Sequence, residues 1–164
     1  MGIFLKTTYQ SQGGRTSETA GKNQDVLAYV LDGLDDYNWQ DSISSQLNNV
    51  DPKYSHISIF GVIRFFLPEN IKSGNLKSLA RYIKKDDKLI IDQMLDIDKY
   101  ETLSENDTRI ALCDDIFEYF SSIILKYKDR FLDFDTVAFI PMLKERLEFI
   151  KAGKYVSDRV TGKY

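Results

Sequence analysis

The sequence predicts an α+β fold, a small antiparallel or mixed sheet of about four strands with helices packed on one face. Three observations predict it. Three segments carry apolar residues at helical spacing, residues 56–66 are dense in β-branched and aromatic residues between Pro52 and Pro68, and residues 76–97 read as two short strands around Asp86-Asp87. The predicted order is strand, helix, strand, hairpin and then two helices, which reads as an α+β arrangement with the second sheet face partly free.

Residues 3–8 are short and β-compatible and run into the polar, glycine-containing 10–14, as a strand followed by a loop does. A helix follows from Asn23 to about Tyr37. Val26, Leu27, Val30, Leu31 and Leu34 form one apolar stripe, and Asp25, Asp32 and Asp36 take the other side. Residues 38–52, rich in Asp, Asn, Ser and Gln, read mainly as a connection, with Ile43 and Leu47 able to form a short helical turn. Within the strand at 56–66, Gly61 predicts a bulge or a close backbone approach.

If Asp86 and Asp87 form the turn of the hairpin, Arg81 faces Asp92, Lys77 faces Asp96, Leu79 faces Met94 and Ile83 faces Ile90. The other face then carries Ile91, Gln93, Leu95 and Ile97, is the more apolar, and meets the helices. Ser104, three residues before Asp107, is a capping-box-like start. Ile110, Cys113, Ile116, Phe117, Phe120, Ile123, Ile124 and Tyr127 follow at helical spacing. The last helix carries Leu143, Leu147 and Ile150, and Pro141 predicts either a kink or the start of regular helix, because its ring clashes with the carbonyl four residues earlier. Gly153 stops it. Residues 1–152 are thus expected to form a single α+β domain and 153–164 a polar C-terminal tail.

The 164 residues suit one domain, which at this size buries roughly 70% of the unfolded chain's surface without metal or disulfide staples. Lys and Arg number 22 against 25 Asp and Glu, a net charge of −3. That balance argues against a nucleic-acid binder, whose footprint is a basic face, and favours a basic partner. One cysteine, Cys113, and one histidine, His56, allow neither an internal disulfide nor a Cys/His zinc site. The first nine residues lack a signal-peptide pattern, Lys6 occupies the position where a myristoylation signal wants Ser or Thr, and the longest apolar run, 57–67, is too short to span a bilayer. A cytoplasmic protein with no membrane association is expected.

Chemistry-bearing motifs are few. Gly21-Lys22 suggests a phosphate loop, but Thr16 and Asn23 stand where that motif needs Gly and Ser or Thr, so 14–23 reads as a solvated loop. His56 has the pKa range of a general base, yet no spacing supplies its nucleophile and orienting carboxylate, and it reads as structural. Cys113 lies on an apolar stripe and reads as a buried, inert thiol. Asp92, Asp96 and Asp98 share one strand side and read as a charge-paired surface, not as a cation site. No catalytic residue, metal ligand or cofactor is expected from these patterns.

One cluster differs. Asp32, Asp35 and Asp36 with Tyr37 and Trp39 combine carboxylates and aromatic rings near a helix C-terminus, where negative charge opposes the macrodipole. Aromatic anchors beside charges are what protein interfaces favour, which makes these five residues the candidate partner-binding site, with Trp39 either an anchor or a core residue.

Several local patterns resemble a family of bacterial immunity proteins from polymorphic toxin systems. They are Gly14-Arg15-Thr16-Ser17-Glu18 before the first helix, Phe65-Phe66-Leu67-Pro68 ending the apolar strand, the basic arm Arg81-Tyr82-Ile83-Lys84-Lys85, the strand Leu89-Ile90-Ile91-Asp92, and Asp133-Phe134-Asp135 before the last helix. Together they cover roughly residues 3–150. The resemblance implies a small cytosolic protein that binds and neutralises a cognate toxin, often a nuclease, made by the same cell; none of its residues carries over as a catalytic position. The alternatives are a small enzyme whose site is built from scattered carboxylates and His56, or a scaffold using the free sheet face.

Overall fold

Helices dominate the described chain. The structure, a computed structural model, describes residues 4–8, 17–48, 58–66, 79–83, 88–128 and 136–156, with side chains placed over 21–43, 46, 89–128 and 138–156. In order, these residues form β1 (Phe4–Thr8), α1 (Ser17–Leu34), α2 (Tyr37–Asn48), β2 (Ser58–Phe66), β3 (Leu79–Ile83), β4 (Lys88–Asp96), α3 (Asp98–Glu101), α4 (Glu105–Lys126) and α5 (Thr136–Lys151).

The core is built where helical stripes meet. Leu27, Val30, Leu31 and Leu34 of α1, Leu112, Cys113, Ile116, Phe120 and Ile124 of α4, and Phe139, Leu143, Leu147 and Ile150 of α5 are all buried in one cluster. Helices α1, α4 and α5 pack on one another, and α2 packs on α5. From the sheet, β4 and the residue after it add Leu89, Ile91, Leu95 and Ile97.

The fold class read from the sequence needs correction here. An α+β domain was expected, with an antiparallel or mixed sheet as the layer on which helices rest. Instead, 75% of the residues with placed side chains are helical, and β4 is the one strand among them, so a core built on a four-stranded sheet is not shown. The physical reason lies in the stripes of α1, α4 and α5, which complete one another's burial. A further reason is 37–48, which is helix α2 and not a connection. The backbone pairing of the strands runs β1-β2-β4-β3, with β1–β2 and β2–β4 parallel and only β3–β4 antiparallel. Gly61 pairs in register with Thr7 and Ile91, so the expected bulge is not seen.

The hairpin register also differs. Arg81 faces Ile90 and Asp92 faces Leu79, a shift of two residues, because the closing pair is Ile83 and Lys88 and not the pair that a two-residue turn at Asp86-Asp87 requires. A shift of two preserves the faces. Leu89, Ile91, Gln93 and Leu95 are therefore buried in either register, while the exposed charge pairs that favoured the other one are worth only about 0.2–1 kcal/mol each. Lys77, His56 and residues 84–87 lie outside the described residues.

Helix α1 starts at Ser17, six residues before the position expected, so Lys22 is helical and not part of a solvated loop. Its Nζ donates to the carbonyls of Tyr100 at 2.5 Å and Leu103 at 2.8 Å, and to the Thr108 hydroxyl at 3.2 Å. A cation from α1 thus serves the carbonyl end of α3 and the entry to α4, as charge at a helix C-terminus favours. The Ser104 hydroxyl accepts from the Asp107 N–H at 3.0 Å and caps α4. Burial, reinforced by Asp114, pushes the Cys113 thiol up to about 12. Helix α5 passes through Pro141 and begins before it. It ends at Lys151, and Gly153 beyond it turns the chain away with a φ of 74° that only glycine adopts without strain. The Gly153 N–H donates to Ile150 and the Lys154 N–H to Phe149, which satisfies the last carbonyls in a Schellman arrangement.

Candidate functional site

The acidic and aromatic cluster sits at an elbow between two helices. Helix α1 ends at Leu34, and after Asp35 and Asp36 helix α2 begins at Tyr37. The Asp36 carboxylate accepts from the Trp39 N–H at 3.0 Å, which makes it the N-cap of α2. Its charge therefore favours the helix it precedes, where the sequence reading saw only the cost to α1. The carbonyl end of α1 is served from both neighbours. Gln40 donates to the Leu34 carbonyl at 2.9 Å, and Arg146 Nε of α5 donates to the Gly33 carbonyl at 2.9 Å.

Arg146 organises this corner. Its Nη2 lies 3.5 Å from the Asp36 carboxylate. Its guanidinium lies 5.5 Å from the Trp39 ring centre, 5.2 Å from that of Phe149 and 5.1 Å from that of Tyr155. Such cation–aromatic contacts contribute about 0.5–2 kcal/mol each, the more so where water is excluded. Burial pulls the guanidinium's pKa below its ordinary value, and the Asp36 carboxylate counters that shift.

The five sequence-derived residues take different surroundings. Tyr37 is 74% exposed, whereas Trp39 is partly buried and packs against the core. Asp36 holds the α2 cap and the Arg146 pair. Asp32 accepts from the Tyr155 hydroxyl at 2.7 Å, and the Tyr155 carbonyl accepts from the Tyr29 hydroxyl at 2.6 Å. Asp35, half-buried, joins the helices, its N–H donating to the Leu31 carbonyl at 2.9 Å.

Between α2 and α5 lies a groove of about 270 Å³, walled by Trp39, Ile43, Met142, Arg146 and Phe149, with Ser42, Gln46 and Glu145 at its polar edge. Sequence reasoning missed the α5 half. The available signal was that Met142, Arg146 and Phe149 recur at i, i+4 and i+7 along the flank of the Leu143 and Leu147 stripe. Trp39, Arg146 and Phe149 wall the groove, and the exposed Tyr37 stands outside its lining, on the first turn of the helix that carries Trp39.

The described residues thus form a helix-rich fold with a groove of aromatic and charged side chains between α2 and α5. The sequence profile of a family described as Immunity protein 44 matches residues 1–148, and the chain belongs to that family. The match spans nearly the stretch over which the local patterns resemble immunity proteins. No curated protein and no solved structure matches the chain. Among the described residues, no helix is long and apolar enough to cross a membrane.

Proposed function

We propose that this protein neutralises a cognate toxin by forming a stoichiometric complex, with the elbow of Asp32, Asp35, Asp36, Tyr37 and Trp39 and the adjoining groove as part of the interface. The toxin is a nuclease with a basic surface, and the chain acts in the cytoplasm by blocking it, without catalysis or cofactor. The observation that carries this reading is Tyr37, a ring 74% exposed on the first turn of a helix whose neighbouring groove is walled by Trp39, Arg146 and Phe149. Family membership supports the toxin as the class of partner.

The test is surface-based binding kinetics with the cognate toxin at two salt concentrations, with a thermal melt of each variant. Tyr37→Ala should leave the melt unchanged and speed dissociation about tenfold to thirtyfold, as loss of an interface anchor does. Replacing Asp35 and Asp36 by Asn should mainly slow association and flatten its salt dependence, since Asn still caps α2. Trp39→Ala should both lower the melt and speed dissociation, because its ring packs against core and groove together. If all these variants bind like the wild type, the elbow is not the interface; a purified cognate toxin that does not bind the chain at all defeats the immunity reading.

A further inference from the structure

A second recess, sharing no residue with the groove, lies between β4, α3 and α4. It is a cleft of about 370 Å³ whose lining includes Gln93, Asp96, Lys99, Asp115, Glu118 and Tyr119. Among the described residues, its charged wall groups are three carboxylates, Asp96, Asp115 and Glu118, against one ammonium, Lys99. Gln93 is 4% exposed, and its Nε2 donates to the Asp115 carbonyl at 3.2 Å, which fixes the carboxamide at the Asp115 wall. Among the described residues, its Oε1 has no hydrogen-bond donor. A buried acceptor left without a donor is destabilising, so a donor arriving from outside meets an unfilled site.

The Asp115 carboxylate next to it is already organised. The Tyr100 hydroxyl donates to Oδ2 at 2.5 Å, and Lys99 Nζ lies 2.8 and 2.7 Å from the two oxygens. The Lys99 side chain is 55% exposed, so its ion pair faces water and is weakly held. A guanidinium suits this geometry better than an ammonium does. It is planar, offers five donors in a fixed fork, binds a carboxylate through two of them and retains others for a neighbouring carbonyl, while an aromatic wall gives it a stacking face.

We infer that this cleft receives an arginine side chain of the protein partner, which displaces the Lys99 ammonium at Asp115 and donates to Gln93 Oε1. The inference rests on the toxin-binding reading above and adds a second contact of defined chemistry. Excess negative charge in the cleft complements the basic partner proposed there.

The experiment uses N-acetyl-arginine amide as the probe, titrated into isotope-labelled protein and followed by NMR, with N-acetyl-citrulline amide as the uncharged control of the same shape. The arginine probe should shift the Gln93 side-chain amide and the Glu118 and Tyr119 backbone signals, and the citrulline probe should not. Lys99→Met, which removes the competing ammonium at an exposed position, should tighten the probe about twofold to fivefold. Glu118→Gln should weaken it. No shift at Gln93, equal shifts with citrulline, or weaker binding by Lys99→Met overturns the inference. With the cognate toxin, Gln93→Leu should speed dissociation about tenfold. If wild-type protein binds the toxin and both Gln93→Leu and Lys99→Met bind it equally well, the cleft inference fails and the toxin-binding reading stands; if the wild type does not bind the toxin, that reading fails and the arginine titration still decides the cleft.

Discussion

Gly21 and Gly33 both lie in α1, yet a methyl group added at each would meet different surroundings. At Gly21 nothing lies within 4 Å of the added carbon, so Gly21→Ala should stabilise the protein by about 0.5–1 kcal/mol, the ordinary gain of replacing glycine inside a helix. At Gly33 the added carbon would stand 2.7 Å from Ile150 Cδ1 and 2.8 Å from Ile150 Cγ1. Ile150 is fully buried and cannot yield freely, so Gly33→Ala should destabilise by about 1–3 kcal/mol. Urea midpoints of the two variants decide the matter, and equal signs would contradict the packing of α1 against α5. Residue-level readings from the sequence varied in success for a similar reason. Cys113 as a buried thiol and Ser104 as a cap depend on neighbours within a turn or two, and both are observed. Arg146 depends on Gly33, Asp36 and Trp39, more than a hundred residues away in sequence, and no local spacing reveals such partners.

Between elements, Lys22 is the most economical joint, since one ammonium from α1 bonds the carbonyls of Tyr100 and Leu103 and the Thr108 hydroxyl. Lys22→Met keeps much of the apolar stem and removes all three bonds. Hydrogen bonds to charged groups are worth about 1.5–3 kcal/mol, so the variant should lose roughly that amount in urea unfolding, while a loss under about 0.5 kcal/mol would mean that water serves these carbonyls equally well. Element-level legibility followed the strength of the apolar stripe. The stripes of α1 and α4 are dense, and their buried residues are largely those the spacing indicated. Helix α2 reads from the sequence as a connection with at most a short helical turn at Ile43 and Leu47, because its residues are mostly polar, with Ile43 buried at 3% and Trp39 partly buried as its inward anchors. Its start depends on the Asp36 cap, which reads as an unfavourable C-terminal charge until the second helix is known.

For the molecule as a whole, stability should fall in alkali, and the sign follows from two phenols. Burial raises the pKa of Tyr29, and burial together with the hydrogen bond to Asp115 raises that of Tyr100. Above about pH 10 the unfolded chain releases these protons while the folded chain keeps them, and the buried Cys113 thiol, held up to about 12, adds to the same decline from about pH 9, so stability is intact below about pH 9 and declines above it. Urea midpoints measured from neutral pH to strong alkali should show that decline, and Tyr100→Phe should make it shallower; a flat profile would contradict the burial of both rings. The core that encloses these phenols was largely legible as a list of residues. The arrangement was not, because it turns on which stripes complete one another and on loop lengths that weak exposed charge pairs cannot override. Tyr155 has a consequence of another kind. The family match ends at residue 148, yet seven positions later the Tyr155 hydroxyl donates to Asp32, its backbone carbonyl accepts from the Tyr29 hydroxyl, and its ring centre lies 5.1 Å from the Arg146 guanidinium. Trimming the gene at the family boundary would strip this latch from the last helix, remove the acceptor of the Tyr29 hydroxyl and one donor to Asp32, and open one flank of Arg146 to water, so fragments for binding work belong beyond Val156.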